Sequence, residues 1–226
     1  MCTALESLYA PQHKSSSLRR RNQKTNRSFV CALRSAESNQ QKAPGAVISD
    51  EGDFGLGDLQ QTLQDGERVV IRPARPEDRE LYLDFLHDVS AEDLRLRFFG
   101  RIAELSAAEI DKLAHLDYRH EMAFVALDED MGQMLGLVRL IDELDERTAQ
   151  FAILVRSRLK GHGLGWLLMQ RIINYAKEKG LRRVYGDVLA ENKTMLQMCA
   201  ELGFRARDIG SDIRRVVLEL GNSGKQ

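Results

Sequence analysis

The sequence predicts an α/β domain built on a mixed sheet, antiparallel in its first half and parallel at a glycine-rich turn, with flanking helices. Three observations carry that expectation. The apolar segments "EMAFVAL", "LGLVRLI" and "TAQFAILV" follow one another, separated by turn-like "DEDMGQ" and charged "DELDER", as in an antiparallel meander. The last of them runs through three alternate glycines, Gly161, Gly163 and Gly165, into a helical repeat. A further strand pattern, "RRVYGDVLA", follows that helix, and strand, helix, strand across one turn implies a parallel crossover.

Taken in order, the elements begin late. Residues 1–66 are rich in Ser, Gln, Asn and Arg without a sustained apolar period, so a disordered tail and linker are expected there. Residues 1–49 hold eight Lys/Arg against two Glu, a charge of +6 that leaves −7 for the rest of a chain whose net charge is −1. The Arg- and Ser-rich "SLRRRNQKTNRSF" reads as a solvated tail, with a transit segment or a nucleic-acid-binding arm as alternatives. The folded domain is expected over 67–220, with a short C-terminal tail at 221–226. "ERVVIRPA" is its first strand, and "RPEDRELYLDFLHDV" a helix opening at Pro76, where a fixed φ and a missing N–H cost nothing. Ser90 with Asp93, and Ser106 with Glu109, stand at capping-box spacing and predict two short helices. The meander follows. Leu164, Leu168, Ile172 and Ala176 mark the helix after the glycines, which should stop at Gly180. Asn192 to Leu202 predicts a last helix and "IRRVVLEL" a closing strand.

Composition excludes several classes. No apolar run reaches the roughly 18 residues of a membrane helix, and no apolar stretch follows the N-terminus as in a secretory signal. Cys2, Cys31 and Cys199 have neither metal-ligand spacing nor an evident disulfide partner, so no metal is expected and a reducing cytoplasm fits.

The glycine turn is where chemistry concentrates. Backbone N–H groups of such a turn and of the helix it opens converge on one spot, and the helix dipole favours a phosphate or pyrophosphate there. Arg156, Arg158 and Lys160 bring full charges beside it. A P-loop is excluded because no G-x-x-x-x-G-K-[ST] occurs. A dinucleotide turn is disfavoured because Trp166 stands where a third small residue is needed after Gly161 and Gly163.

The spacing of Arg158, Gly161 and Gly163 resembles the acyl-CoA loop [RQ]-x-x-G-x-[GA] of the GNAT superfamily of N-acetyltransferases. Asn192, Met195, Leu202, Gly203 and Phe204 in "ENKTMLQMCAELGF" look like the helix that follows in that family. "LRLRFFGRIAELSAAEIDKLAHLDYRHEMAFVAL" further resembles the acetyltransferase domain of bacterial Pat-type protein-lysine acetyltransferases. In those the domain is usually fused behind a synthetase-like domain, which the preceding residues here are too few to form. The resemblance covers 67 to about 220 and implies acetyl-CoA as cosubstrate and a primary amine, a protein lysine among the choices, as acceptor. It implies a cofactor site of Arg158, Lys160, Gly161, His162, Gly163, Leu164 and Gly165, with Asn192 near the pantetheine arm. It also implies a backbone oxyanion donor near Leu154 and Val155.

Two departures from the family bear on catalysis. Gln150 stands where Pat-type enzymes commonly place a Glu base, and an amide accepts no proton at useful pH. Cys199 stands where many relatives place a Tyr acid, and its position on an apolar helix face reads as core. Gln150, among apolar neighbours, is expected to be buried. Glu121, at a strand start beside Tyr118 and His120, is the preferred substitute base, with Asp142, Glu143 and Asp145 as possible sources of a water-borne relay. The missing base leaves an alternative open, a catalytically weak acyl-CoA-binding regulatory module. No membrane partner is expected, and nucleic acid is disfavoured as a partner.

Overall fold

The computed structural model describes residues 56–100, 116–143 and 147–221. The helix expected around Ser106 and Glu109, the basic segment within 1–55, Asp145, and most of the C-terminal tail lie outside the described residues. Eight strands form one sheet: β1 Leu59–Thr62, β2 Arg68–Pro73, β3 Glu121–Asp128, β4 Met134–Asp142, β5 Thr148–Val155, β6 Arg183–Leu189, β7 Arg205–Asp208 and β8 Ile213–Glu219. Their spatial order is β1-β2-β3-β4-β5-β6-β8-β7. Every neighbouring pair is antiparallel except β5 and β6, so the predicted change from meander to parallel crossover falls at the glycine turn.

Among the described residues four α-helices flank the sheet: α1 Arg79–His87, α2 Ala91–Phe98, α3 Leu164–Glu178 and α4 Lys193–Glu201. Leu164, Leu168, Ile172 and Ala176 of α3, the four residues that predict it, are all fully buried. They join Phe124, Val138, Leu140 and Phe151 in the core on one side of the sheet. On the other side Tyr82, Phe85 and Leu86 of α1 pack with Ala123, Val125, Leu137 and Leu154. Each such apolar side chain contributes about 1.5–3 kcal/mol by leaving water, so the central strands are held from both faces. The period of two along β5 divides its residues accordingly: Ala149, Phe151 and Ile153 face α3, and Leu154 faces α1.

Polar groups close the ends of these elements. Pro76 opens a 3-10 turn, Pro76–Asp78, ahead of α1. The buried Asp78 carboxylate accepts the Arg75 N–H at 2.8 Å and two bonds from the buried Arg72 guanidinium at 2.6 and 2.8 Å. The pair is thus paired and hydrogen-bonded, the condition for burying charge. Helix α3 ends at Glu178, and Gly180 takes φ +81°, as its predicted stop requires.

The sheet starts earlier than Glu67. Strand β1 and the buried Leu63 lie in the stretch assigned to the linker. Strand β7 was equally invisible in the sequence. Both are sheet edges whose residues are nearly all exposed, so "LQQT" and "RARD" show no apolar alternation and are fixed only by pairing with β2 and β8.

Candidate active site

Strands β5 and β6 pair at Thr148–Arg183, Ala149–Val184 and Gln150–Tyr185, and then separate. Beyond that point β5 continues to Val155 beside β4 alone, leaving a fork in the middle of the sheet. The Phe151 ring occupies its α3 side: a Cβ on Gly186 would stand 2.5 Å from Phe151 Cζ, so glycine is needed there for the ring to fit. Phe151 packs edge-on against Phe204 with centroids 5.3 Å apart.

Backbone alternation decides which groups open into the fork. The Arg156 N–H donates to Leu135 O at 2.8 Å, and Leu154 is in register with Leu137. Leu154 and Ala152 therefore spend their N–H and C=O on β4, while those of Ile153 and Val155 turn toward the fork. Of the two expected oxyanion positions, Val155 keeps a free backbone edge and Leu154 does not. Ile153, which the sequence did not single out, joins Val155.

The glycine turn lies at the end of this open edge. Gly161 and Gly163 take φ +83° and +94°, left-handed values that side chains resist. Gly163 is the N-cap of α3 and has no side chain to cap it, so the first-turn N–H groups of Leu164, Gly165 and Trp166 have no intrahelical partner. The basic residues are held by carboxylates. Arg158 pairs with Glu67 at 3.1 Å, His162 with Asp65 at 2.5 Å, and Lys160 with Asp93. The Glu67 N–H, with His162 beside it, holds the Asp65 carboxyl below its ordinary range. Burial alone would raise Asp93, but hydrogen bonds from Lys160, Ser157 and Ser90 outweigh it and hold that carboxyl low as well. Arg156 is a correction: it does not face the turn. Buried, it donates to Met134 O at 2.7 Å and to Asp88 at 2.5 Å, tying β5 to β4 and to the end of α1.

Asn192 is the N-cap of α4, its Oδ1 accepting the Met195 N–H at 3.1 Å, which leaves the amide NH2 as the part free to meet a ligand. Cys199 is fully buried, and burial pushes its thiol up to about 12, so it is core and keeps its proton at neutral pH instead of relaying one.

Gln150 is half-buried rather than buried, because β5 loses its neighbour one residue later. It shares a row across the sheet with Glu121, Ile141 and Tyr185. With strands about 4.8 Å apart, Glu121 lies two strands, or roughly 10 Å, from Gln150, with Ile141 between them. Glu121 is moreover locked to the buried Arg139, so the structure does not bring the expected substitute base to Gln150. It brings Tyr185 instead. The Tyr185 hydroxyl donates to Glu143, at the turn after β4, and burial together with that bond pushes its pKa up above the ordinary range, so it holds its proton more firmly. The signal for Tyr185 was its alternation with Asp187 in "VYGDV", but its neighbour across the fork required the register. Among the described residues no group of His, Cys, Asp and Glu could hold a metal ion, and no helix is long and apolar enough to cross a membrane.

Known proteins share this fold. The family model described as the acetyltransferase (GNAT) family matches residues 86–204. An acetyltransferase of Pseudomonas aeruginosa is 34% identical over 187 residues, which are 81% of this chain and 98% of that protein. The crystal structure of the GNAT domain of S. lividans PAT superposes with a TM-score of 0.66 at 25% identity, covering 72% of this chain and 96% of that domain. The spermidine N-acetyltransferase of Vibrio cholerae, solved with CoA and spermine, has the same fold, with a TM-score of 0.56 at 22% identity over 67% of this chain and 95% of its own. On the matched family model, the close relative and the forked sheet with its glycine-capped helix, this chain belongs to the GNAT family of acetyltransferases.

Proposed function

We propose that this acetyltransferase binds acetyl-CoA along the fork and transfers the acetyl group to a primary amine, a protein lysine being the acceptor class we favour. The observation that carries the reading is the free edge of β5 leading to the uncapped N-terminus of α3. Two N–H groups in the fork, at Ile153 and Val155, can meet an extended chain bearing amides, and the first turn of α3 can meet its diphosphate. The likeness to the PAT domain supports a lysine acceptor, and a neighbour solved with CoA and spermine supports an amine more generally.

Acetyl-CoA supplies an acyl group already activated as a thioester. The chain's own part is to position it and to manage charge and protons. Gly161, Gly163, Leu164 and Gly165 present backbone donors to the diphosphate, Arg158 and Lys160 add cations at its rim, and His162 adds a ring nitrogen there. The Arg158 ion pair does not prevent this, since its side chain is more than half exposed and such a pair is worth only about 0–1 kcal/mol, while Lys160 stands at the rim as it holds the buried Asp93 carboxylate. Val155 N–H is the donor best placed to stabilise an oxyanion, and the Asn192 amide steadies the arm. Gln150 positions the acceptor by hydrogen bonding and removes no proton.

CoA at about 100 times its Kd should stabilise the domain by about 2.7 kcal/mol. Gly163→Glu, which adds bulk and negative charge where φ already disfavours a side chain, should abolish that shift. Thermal shift of both proteins, with thiol release from acetyl-CoA against a panel of amines and lysine-containing proteins, tests the reading. An identical CoA shift in both proteins removes the loop from the site, and binding without thiol release removes the transfer.

A further inference from the structure

The fork closes on Gln150 and Tyr185, the last residues of β5 and β6 that face each other. At that apex a base is needed, because a lysine-like amine with pKa about 10.4 is unprotonated in only roughly one molecule in 10³ at neutral pH. Gln150 cannot serve, and Glu121 is two strands away and held by Arg139. The hydroxyl of Tyr185, by contrast, already donates to a carboxylate, that of Glu143. Both ends of this pair are fixed. The Glu143 N–H donates to Thr148 O at 2.8 Å, pinning the turn to the start of β5. The Tyr185 ring lies 4.4 Å from the Arg215 guanidinium carbon, and Arg215 is itself held by Asp187 through bonds of 2.7 and 2.8 Å. A pair so placed and so oriented runs from the apex of the fork to a half-exposed carboxylate at its outer end.

We infer that Tyr185 and Glu143 form the proton route that stands in for the carboxylate replaced by Gln150. The inference rests on the amine transfer proposed above. The acceptor ammonium gives a proton to the Tyr185 oxygen as the Tyr185 proton moves to the Glu143 carboxylate. The freed amine then forms a C–N bond to the acetyl carbon while the C–S bond breaks. The sulfur leaves as thiolate and takes up the second amine proton, directly or through water, so that the products are an amide and a thiol. Tyr185 remains a neutral conduit throughout, in keeping with the upward push on its hydroxyl. The charged groups around the route are Asp187 on β6 with Arg215 on β8, and the Arg183–Glu219 pair lies beyond them. Since Asp187 and Arg215 offset each other, Glu143 is the group left to take the proton.

The experiment is a pH profile of acetyl transfer by the full chain and its Tyr185→Phe and Glu143→Gln variants, with CoA thermal shift in parallel. Tyr185→Phe keeps the ring and its packing on Arg215 and removes only the hydroxyl. Near pH 7 each variant should lose roughly 10²-fold or more in kcat with an unchanged CoA shift. The deficit should shrink about tenfold per pH unit toward the amine pKa, because the acceptor then deprotonates itself. The double variant should be no slower than either single one, as expected of two groups acting as one relay. A rate within about threefold of wild type at pH 7, a deficit that stays constant with pH, or a CoA shift lost with the hydroxyl overturns the relay while leaving amine transfer intact. A wild type that binds CoA but acylates no amine overturns the proposed function, and the relay with it.

Discussion

Glu121 and Arg139 show how one side chain's neighbour decides its role. Glu121 stands on the face of the sheet that also carries Gln150 and Tyr185, and a strand-end carboxylate beside a cleft has the chemistry of a base. Its pairing with a buried guanidinium gives it other work. Arg139 is 6% exposed and its Nε is buried with no hydrogen-bond partner among the described residues, so Glu121 supplies compensation for its charge. The Arg97 guanidinium nearby is pushed down to about 10 by burial and by the charge of Arg139, which marks a region already rich in positive charge. Glu121→Gln should therefore act on stability first. Losing one partner of a buried pair costs about 3 kcal/mol or more, and urea unfolding should register it. Transfer per folded molecule should change little. A variant as stable as wild type but many-fold slower would return Glu121 to the list of bases.

At the scale of elements, the glycine turn proposed to hold the cofactor is fastened by a helix cap. Ser90 and Asp93 were legible as a capping box, and Ser90 Oγ does accept the Asp93 N–H at 3.1 Å. The other half of the box does not form. The Ser90 N–H instead donates to Ser157 Oγ at 2.9 Å, Ser157 donates in turn to Asp93 at 2.5 Å, and Lys160 completes the clasp on the same carboxylate. Spacing in the sequence could reveal the helix but not this use of its cap, because Ser157 and Lys160 come from more than 60 residues away. The same limit applied elsewhere. The glycine turn, α3 and the meander were legible since their signals are local and apolar, whereas edge strands β1 and β7 and the Gln150–Tyr185 pairing depend on partners distant in sequence. The clasp has a pH signature. Asp93 is held below its ordinary 3.8, so its contribution is complete above that value and fades as pH falls through the lower folded one. Asp93→Asn should cost about 1.5–3 kcal/mol at pH 7, the range for hydrogen bonds to a charged group, with the gap closing below about pH 4. Unfolding free energies at pH 7, 5, 4 and 3 measure it, and an equal gap at pH 7 and pH 3 would assign the loss to packing instead.

For the whole molecule the question is where the working domain begins. The β1–β2 hairpin does more than extend the sheet: Leu63 is 5% exposed in the α3-side core, Gln64 N–H reaches His162 O at 3.4 Å, and Asp65 and Glu67 pair with His162 and Arg158 of the cofactor loop. The hairpin thus buttresses the turn proposed to meet the diphosphate. A chain cut to begin at residue 56 retains every one of these contacts. One cut to begin at Glu67 loses Leu63 and Asp65 and leaves β2 as an exposed edge. Burial of Leu63 alone is worth about 1.5–3 kcal/mol, which for a domain of this size is a fall in Tm of roughly 5 °C. The shorter chain should therefore melt at least that much earlier, and its stabilisation by CoA should shrink because the loop has lost its support. The chain beginning at 56 should match the full protein in CoA shift and in acetyl transfer. Thermal melts of the three proteins with and without CoA decide the matter: equal Tm and equal CoA shift in all three would place the functional boundary at Glu67, with β1 a passive addition to the sheet.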